Sequence, residues 1–452
     1  MLDRAHRHAA DFLKKLPERH VAARASREEL LQGLSVSLPD QGDDAAKVLD
    51  ALAAQGERGA IASAGPRYFG FVIGGSLPVA VAADWLTTAW DQNSGIYVTS
   101  PLSSVIEDVA RTWLLDLLGL PSDAGLGFVT GCQMANFTCL GSARHAVLRD
   151  AGWNVEENGL AGSPNVNIVL SEESHVTIHV ALRMLGFGTR GAIRVPADEQ
   201  GRMRAEALKQ TLEGLRGPTI VCAQAGNVNT GAFDPLEEIA KIAKDHKAWL
   251  HVDGAFGLWA RASSTKRHLA NGIDHADSWA TDAHKWLNVP YDCGVAIVRD
   301  AKAQRASMTS TAPYLQQTSG VERDAIDWVP EFSRRARAVT VYAALRALGR
   351  KGVEELVDRN CAQARLFADL LRKSKRVRIL NDVVLNQVLV RFDDSDERTR
   401  EVIARVQKDG TCWLAGTTWQ GKGAMRISVS NWATTDRDVE RSSEAILRCA
   451  ES

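Results

Sequence analysis

The sequence predicts an α/β protein with a mostly parallel seven-stranded sheet flanked by helices and a smaller C-terminal α+β domain. Three observations carry that expectation. From Gly125 onward, seven short β-rich runs alternate with helical stretches, the pattern of an open parallel sheet. Polar residues recur at the carboxyl ends of those runs, where the ligands of such sheets lie. The alternation stops near Arg299 and gives way, after residue 375, to a second and differently ordered set of elements.

Composition narrows the class. A chain of 452 residues has room for roughly two to four domains and a large core. With 45% hydrophobic and 24% charged residues and a formal net charge of -1, it offers no electrostatic reason for nucleic-acid or membrane partners. The seven cysteines are dispersed and odd in number and form no CxxC pair. They fit a reducing compartment better than a disulfide framework or a zinc site. No apolar run approaches the ~20 residues that span a bilayer. The N-terminal stretch MLDRAHRHAADFLKKLPERH is polar and amphipathic, and Asp3, Asp11 and Glu18 speak against an organelle transit peptide. The expected location is the cytoplasm.

In chain order, residues 1–62 read as an N-terminal helical segment, with Ala9, Phe12, Leu13 and Leu16 on one helix face and Ala45, Val48, Leu49 and Leu52 on another. A large domain is expected over 63–310. It opens with a Gly-rich turn at Gly74 and Gly75 and an apolar helix over about 77–90. Pro101 then starts a long helix at a position where its missing N–H costs little, and Pro121 stops it. The strand runs are 127–130, 166–170, 192–195, 218–223, 248–252, 277–280 and 295–298, with helices over 134–149, 176–185, 205–215 and 236–245 between them. Residues 311–345 read as a loop and connecting helix, overlapping a weakly periodic stretch over 299–333 of the kind that is usually functional. The small domain, 346–452, is expected to contain the run RVRILNDVVLNQVLVRFD, a helix over 397–408, strands over 411–415 and 424–429, and a last helix begun by Thr434 or Thr435.

The strand ends concentrate chemistry. Gly131 follows the first strand, His175 the second and Asn227 the fourth; Asp253 ends the fifth and Lys285 follows the sixth. A lysine able to form an imine and a carboxylate able to keep a heterocyclic nitrogen protonated are what pyridoxal 5′-phosphate (PLP) needs from a protein. Lys285 must then be partly deprotonated, in a shielded site near cationic or imine groups. Asp253 is the ring-nitrogen partner, and the small residues Gly254 and Ala255 leave room for a flat ring. A lone His-Lys pair, or an aspartate capping a strand, would mean nothing alone. Gly131, Cys132 and Gln133 lie where a strand meets a helix start, a place whose free N–H groups suit a phosphate, with His284 as a further donor. The imidazole of His175 can stack on an aromatic ring or exchange protons near neutral pH. The sequence has no GxSxG elbow, HExxH or P-loop, and no metal site is expected.

These segments resemble the group II PLP-dependent decarboxylases of fold type I, the aspartate aminotransferase fold. The resemblance runs from about Tyr68 to the final helix. It is most specific at HVDGAFG (251–257), DSWATDAHKWL (277–287) and GAFDPLEEIA (231–240). FVTGCQMAN (128–136) resembles the phosphate turn and SEESHVTIH (171–179) the stacking-histidine segment. The resemblance implies that Lys285 carries the cofactor, Asp253 pairs with the ring nitrogen, and His175 and Ala255 cover the two ring faces. Cys132, Gln133 and His284 would hold the phosphate, with Asn227 near the cofactor. Arg426, in MRISVSN, resembles the arginine that binds substrate carboxylate in fold type I aminotransferases.

The implied activity is α-decarboxylation of an L-amino acid by a homodimer with a shared active site. A sphingosine-phosphate-lyase-like C–C lyase, an aminotransferase and a non-catalytic binding protein on the same fold are its rivals. Aromatic-amino-acid decarboxylases carry a protonating tyrosine on a loop before a GRRFRS-like stretch, matched here by FSRRARA (332–338). That tyrosine falls near Ala325, and no tyrosine lies between Tyr314 and Tyr342. Either another donor such as His175 serves, or the chemistry diverges toward C–C cleavage or oxidative deamination. The substrate could meet an aromatic pocket made from Trp85, Trp90, Tyr97 and Trp328, or, if acidic, Arg334, Arg335 and Arg337.

Overall fold

Short runs of β-branched and aromatic residues become strands here because helices cover both faces of the sheet they form. The computed structural model describes residues 1–309 and 322–451. Part of the loop expected over 299–333, including Tyr314, lies outside the described residues. The seven strands are β1 (Gly125–Val129), β2 (Asn167–Ser171), β3 (Ile193–Val195), β4 (Thr219–Gln224), β5 (Trp249–Asp253), β6 (Ser278–Asp282) and β7 (Gly294–Val298). Each lies within two residues of its expected place. They form one sheet in the order β1-β7-β6-β5-β4-β2-β3. β7 runs antiparallel to both of its neighbours, β1 and β6, while the remaining pairs are parallel. All residues of β1, β4, β5, β6 and β7 are buried.

The helix Cys132–Asp150 packs on this sheet through Ala135, Cys139, Leu140, Ala143 and Ala146, a stripe at helical spacing. Burying each leucine or valine of such a core contributes about 1.5–3 kcal/mol. The antiparallel turn from β6 to β7 matters most for the site. Because the chain folds back beside its own strand, Ala283 N–H and His284 N–H both donate to the Cys293 carbonyl, at 3.0 and 3.2 Å. The two residues just before Lys285 are therefore pinned to the residue that leads into β7.

The chain divides into two compact units, one of residues 76–362 and 381–387, the other of 1–75, 363–380 and 388–452. The sheet of seven strands belongs to the first. The second holds the strands β8 (Val377–Ile379), β9 (Gln387–Phe392, from 388 on), β10 (Ala415–Trp419) and β11 (Lys422–Ser428), in the order β10-β11-β9-β8. β10 and β11 correct the expected strand over 411–415, which begins only at Ala415. Gln420 (φ 48) and Gly421 (φ 76) form a two-residue turn with both φ positive, and this fixes the hairpin register at Trp419↔Lys422. The connecting helix runs on into the single element Ala338–Leu371, interrupted at Gly349 (φ 62, ψ 179). In the second unit Tyr68 stacks on Trp413 with ring centroids 5.0 Å apart. The last helix, Asp436–Glu451, is capped by reciprocal bonds between Thr435 and Asp438. Among the described residues, no helix is long and apolar enough to cross a membrane.

Candidate active site

Four of the strand ends deliver their side chains to one place. Lys285 follows β6, and its Nζ lies 3.1 Å from Asp282 Oδ2, the last residue of that strand. The neighbours of this amine are carboxylates, not the cationic groups expected. Burial opposes its charge, but the nearby Asp282, the Cys132 sulfur and Asp253 outweigh burial and hold the ammonium above its ordinary pKa. Asp282 was not among the expected residues. Its Oδ1 accepts the Cys132 backbone N–H at 2.6 Å and lies 3.5 Å from His284 Nε2. The helix-start turn thus already binds a carboxylate oxygen, as a turn built for an oxyanion would.

Gly131 is the N-cap of that helix, and a Cβ there would stand 3.3 Å from His284 Cε1. The turn also needs Gly294 at the start of β7, because a Cβ at 294 would come within 2.4 Å of the Gly131 carbonyl carbon. His284 accepts the Cys293 N–H at Nδ1 (3.1 Å), which leaves Nε2 as the protonated nitrogen on the Asp282 side. Burial lowers its pKa and keeps the ring neutral. Gln133 is exposed on the first turn of the helix. Asn227 is buried and uses its side-chain oxygen on its own turn, accepting from Asn229 N (2.8 Å) and Thr230 N (3.2 Å).

Asp253 is 4% exposed at the end of β5. Its Oδ1 accepts the Ala255 N–H at 3.1 Å and the Cys132 thiol at 3.5 Å; its Oδ2 accepts Asn136 Nδ2 at 3.2 Å. The Cys132 thiol therefore faces the carboxylate, while its main chain forms the turn. Asn136, one helical turn beyond Cys132, also donates to Thr177 Oγ1 at 3.3 Å. Its Oδ1 faces His251 Nε2 at 2.9 Å, and His251 Nδ1 faces Ser278 Oγ at 3.0 Å. Burial pushes His251 down to about 4, against the opposing pull of Asp253, so it stays neutral. His175 caps the helix Val176–Met184, and its Nδ1 lies 2.8 Å from Thr177 Oγ1 and accepts the Thr177 N–H at 3.4 Å.

Asn136, Thr177, His251 and Asp282 escaped sequence reasoning. The available signal was spacing: His251 shares a face of β5 with Asp253, and Asp282 precedes Lys285 by three residues. The arginines considered for an acidic substrate are paired instead. Arg334 bonds Glu107 at 2.5 Å, Arg335 bonds Asp84 at 2.7 Å and Arg337 bonds Asp292 at 2.8 Å. Of the aromatic candidates, Trp328 lies under the Arg323 guanidinium at 4.2 Å. Arg426 belongs to the other unit, on β11; it is 8% exposed and its buried Nε has no hydrogen-bond partner among the described residues. Burial alone lowers its pKa to about 10.

Comparison with known proteins bears on this geometry. Residues 28–393 match the pyridoxal-dependent decarboxylase conserved domain. The chain is 27% identical over 444 residues to an aromatic-L-amino-acid decarboxylase of Bacillus atrophaeus, covering 95% of this chain and 90% of the relative. It is 31% identical over 361 residues to an acidic amino acid decarboxylase of Homo sapiens, covering 78% of this chain and 68% of the relative. Among solved structures, Oryza sativa TDC with PLP and tryptamine superposes with a TM-score of 0.92 at 25% identity, covering 100% of this chain and 96% of that one.

Proposed function

The chain belongs to the pyridoxal-dependent decarboxylase family, and on that premise we propose which of its residues carry out PLP-dependent α-decarboxylation of an amino acid to an amine and CO2. The residues fit the cofactor. A helix-start turn holds a carboxylate oxygen 2.6 Å from the Cys132 N–H, where a phosphate oxygen would be received. Asp253 is held beside the partly exposed Ala255. When bound, PLP supplies the sink for the electron pair left as CO2 departs.

Lys285 Nζ is the amine that would carry the cofactor, and Asp282 orients it. Asp253, held by Asn136 and the Ala255 N–H, would hold a proton on the ring nitrogen. His175 and Ala255 would flank the ring. Gly131, Cys132, Gln133 and His284 would receive the phosphate, His284 donating from Nε2, with Asn227 shaping the adjacent turn. Arg426 is assigned the substrate carboxylate on its resemblance to the arginine that binds it in fold type I aminotransferases.

The active species is a cytoplasmic homodimer in this reading. Apolar side chains stand exposed on the helix Pro78–Trp90, including Val79 (40%), Trp85 (42%) and Leu86 (51%), and on the N-terminal segment at Leu38 (95%). A second copy would cover them. All seven cysteines are buried and none is in a disulfide, as a reducing compartment allows.

The carrying observation is the placement of Lys285 Nζ 3.1 Å from Asp282 at the end of the strand next to Asp253. A panel assay of the holo-protein with aromatic, acidic and diamino acids, following CO2 and absorbance together, tests the whole. Lys285→Ala should abolish turnover and the borohydride-reducible adduct. An adduct that persists elsewhere in the chain would refute the assignment.

A further inference from the structure

We propose that Asn136 and Thr177 are positioning residues that join the Asp253 carboxylate and the His175 ring into a single one-way hydrogen-bonded wire, anchored at the Trp249 indole. The proposal rests on the roles given above to Asp253 and His175. Its evidence is a run of contacts among side chains on β5, on β6 and on the starts of two helices.

The direction of the wire follows from groups that can act in only one sense. An indole N–H can only donate, and Trp249 Nε1 donates to Ser278 Oγ at 2.9 Å. Accepting the indole N–H leaves the Ser278 proton to be directed by its other partner. A carboxylate can only accept, so Asn136 turns its amide nitrogen to Asp253 Oδ2 (3.2 Å) and its Oδ1 to His251 Nε2 (2.9 Å). His251 Nε2 then carries the proton, and the Ser278 hydroxyl donates to His251 Nδ1 at 3.0 Å. The flipped amide would set an acceptor against the carboxylate.

The second N–H of Asn136 completes the wire. It donates to Thr177 Oγ1 at 3.3 Å, whose own proton is then directed to His175 Nδ1 at 2.8 Å. The Thr177 backbone N–H reaches the same nitrogen at 3.4 Å, as part of the helix cap. With two donors aimed at Nδ1, the neutral ring has its proton on Nε2. His175 then presents N–H, not a basic lone pair, on its other edge. Hydrogen bonds linked in this way polarise one another and behave as a unit. His175 is accordingly a fixed hydrogen-bond donor in the reaction, and the same amide that steadies the Asp253 carboxylate sets its tautomer.

Three variants test this: Asn136→Leu and Thr177→Val, close in volume and lacking the polar groups, and Thr177→Ser, which keeps the hydroxyl. The first readout is the nitrogen NMR spectrum of the full-length apo-protein labelled at histidine, which needs neither cofactor nor turnover. The expected result is an unprotonated Nδ1 at His175 in the wild type, a mixture of tautomers in Thr177→Val, and wild-type behaviour in Thr177→Ser. In the holo-protein, Thr177→Val should lower kcat about tenfold with KM within about twofold, Thr177→Ser should restore it, and the double variant should lose no more than Asn136→Leu alone. An unchanged His175 tautomer in Thr177→Val overturns the proposal, as do losses that multiply in the double variant. Thr177→Val keeps the helix-cap N–H and so tests the wire even if Asn136→Leu does not fold. Failure of the site assignment would show separately, as loss of the borohydride adduct at Lys285 while the tautomer result stands.

Discussion

Two carboxylates, Asp234 and Asp253, lie after neighbouring strands of the same sheet with nearly equal burial, 3% and 4% exposed, yet they are held in opposite ways. Asp234, beyond β4, accepts two backbone N–H groups, one per oxygen: Met203 at 2.7 Å and Gln224 at 2.7 Å. It staples two stretches of main chain. Asp253 accepts one backbone N–H, and its other partners are an asparagine amide and a thiol, which in turn lead to His251 and, through Thr177, to His175. Burial alone does not separate the two. What does is that Asp253 is held largely by side chains, which can be tuned one by one, and Asp234 by the backbone, which cannot.

The comparison breaks if the two residues can be exchanged in effect. Asp253→Ala should lower kcat per folded molecule about 100- to 1,000-fold, the scale of losing a pre-aligned electrostatic group. Asp234→Ala should act on stability alone. It orphans two buried N–H groups at about 1–3 kcal/mol each, while kcat per folded molecule stays at the wild-type value. Denaturant titration beside steady-state kinetics reads both, and an active-site loss in Asp234→Ala would dissolve the distinction.

A smaller effect is expected at Asp282, the carboxylate that holds Lys285 protonated against the pull of burial. Asp282→Asn removes the attraction, so the pH midpoint for capture of PLP by the amine should move down. Titrating the absorbance of the bound cofactor measures it, and a midpoint that rises or stays would show that Asp282 does not govern the amine.

The subtlest expectation concerns stability against pH. Burial raises Asp234 to about 7, so the folded state keeps a proton that the unfolded state releases near 3.9. Stability from this group is present at low pH and lost as pH rises toward 7. His251 is the mirror case: burial lowers it to about 4, so its contribution is present above 6.5 and lost as pH falls toward 4. Between about 4 and 6.5 the two slopes oppose and nearly cancel. In Asp234→Asn, stability should instead climb with pH across that window, by up to about 1.4 kcal/mol per unit. A flat profile in that variant would show that His251 is not the counterweight.

The fold was legible because its signals are local. Each strand is a short apolar run, and a sheet covered on both faces needs nothing subtler to be found. Lys285, Asp253 and His175 were legible for a related reason: sheet topology sends the ends of neighbouring strands to one edge, so a polar residue at each end already forms a pattern. Asn136 and Thr177 carry no such signal. An amide or hydroxyl acquires its role only from the partner across the gap, and neither residue is near Asp253 in sequence. The β10–β11 hairpin was misregistered because Gln420, a residue with a Cβ, takes the positive φ that a glycine or asparagine would have advertised.

Seven thiols lie buried and unbridged in this chain, which gives the protein a built-in clock. A thiol reagent finds no ready target in the native fold, so each cysteine reacts at the pace at which its own neighbourhood opens. Cys132 sits against Asp253 and would be shielded by a bound cofactor, whereas Cys361 and Cys139 lie in packed interior and wait for wider unfolding. Following the seven labels separately by mass, with and without PLP, would time the breathing of the candidate-site end of the sheet against that of the core.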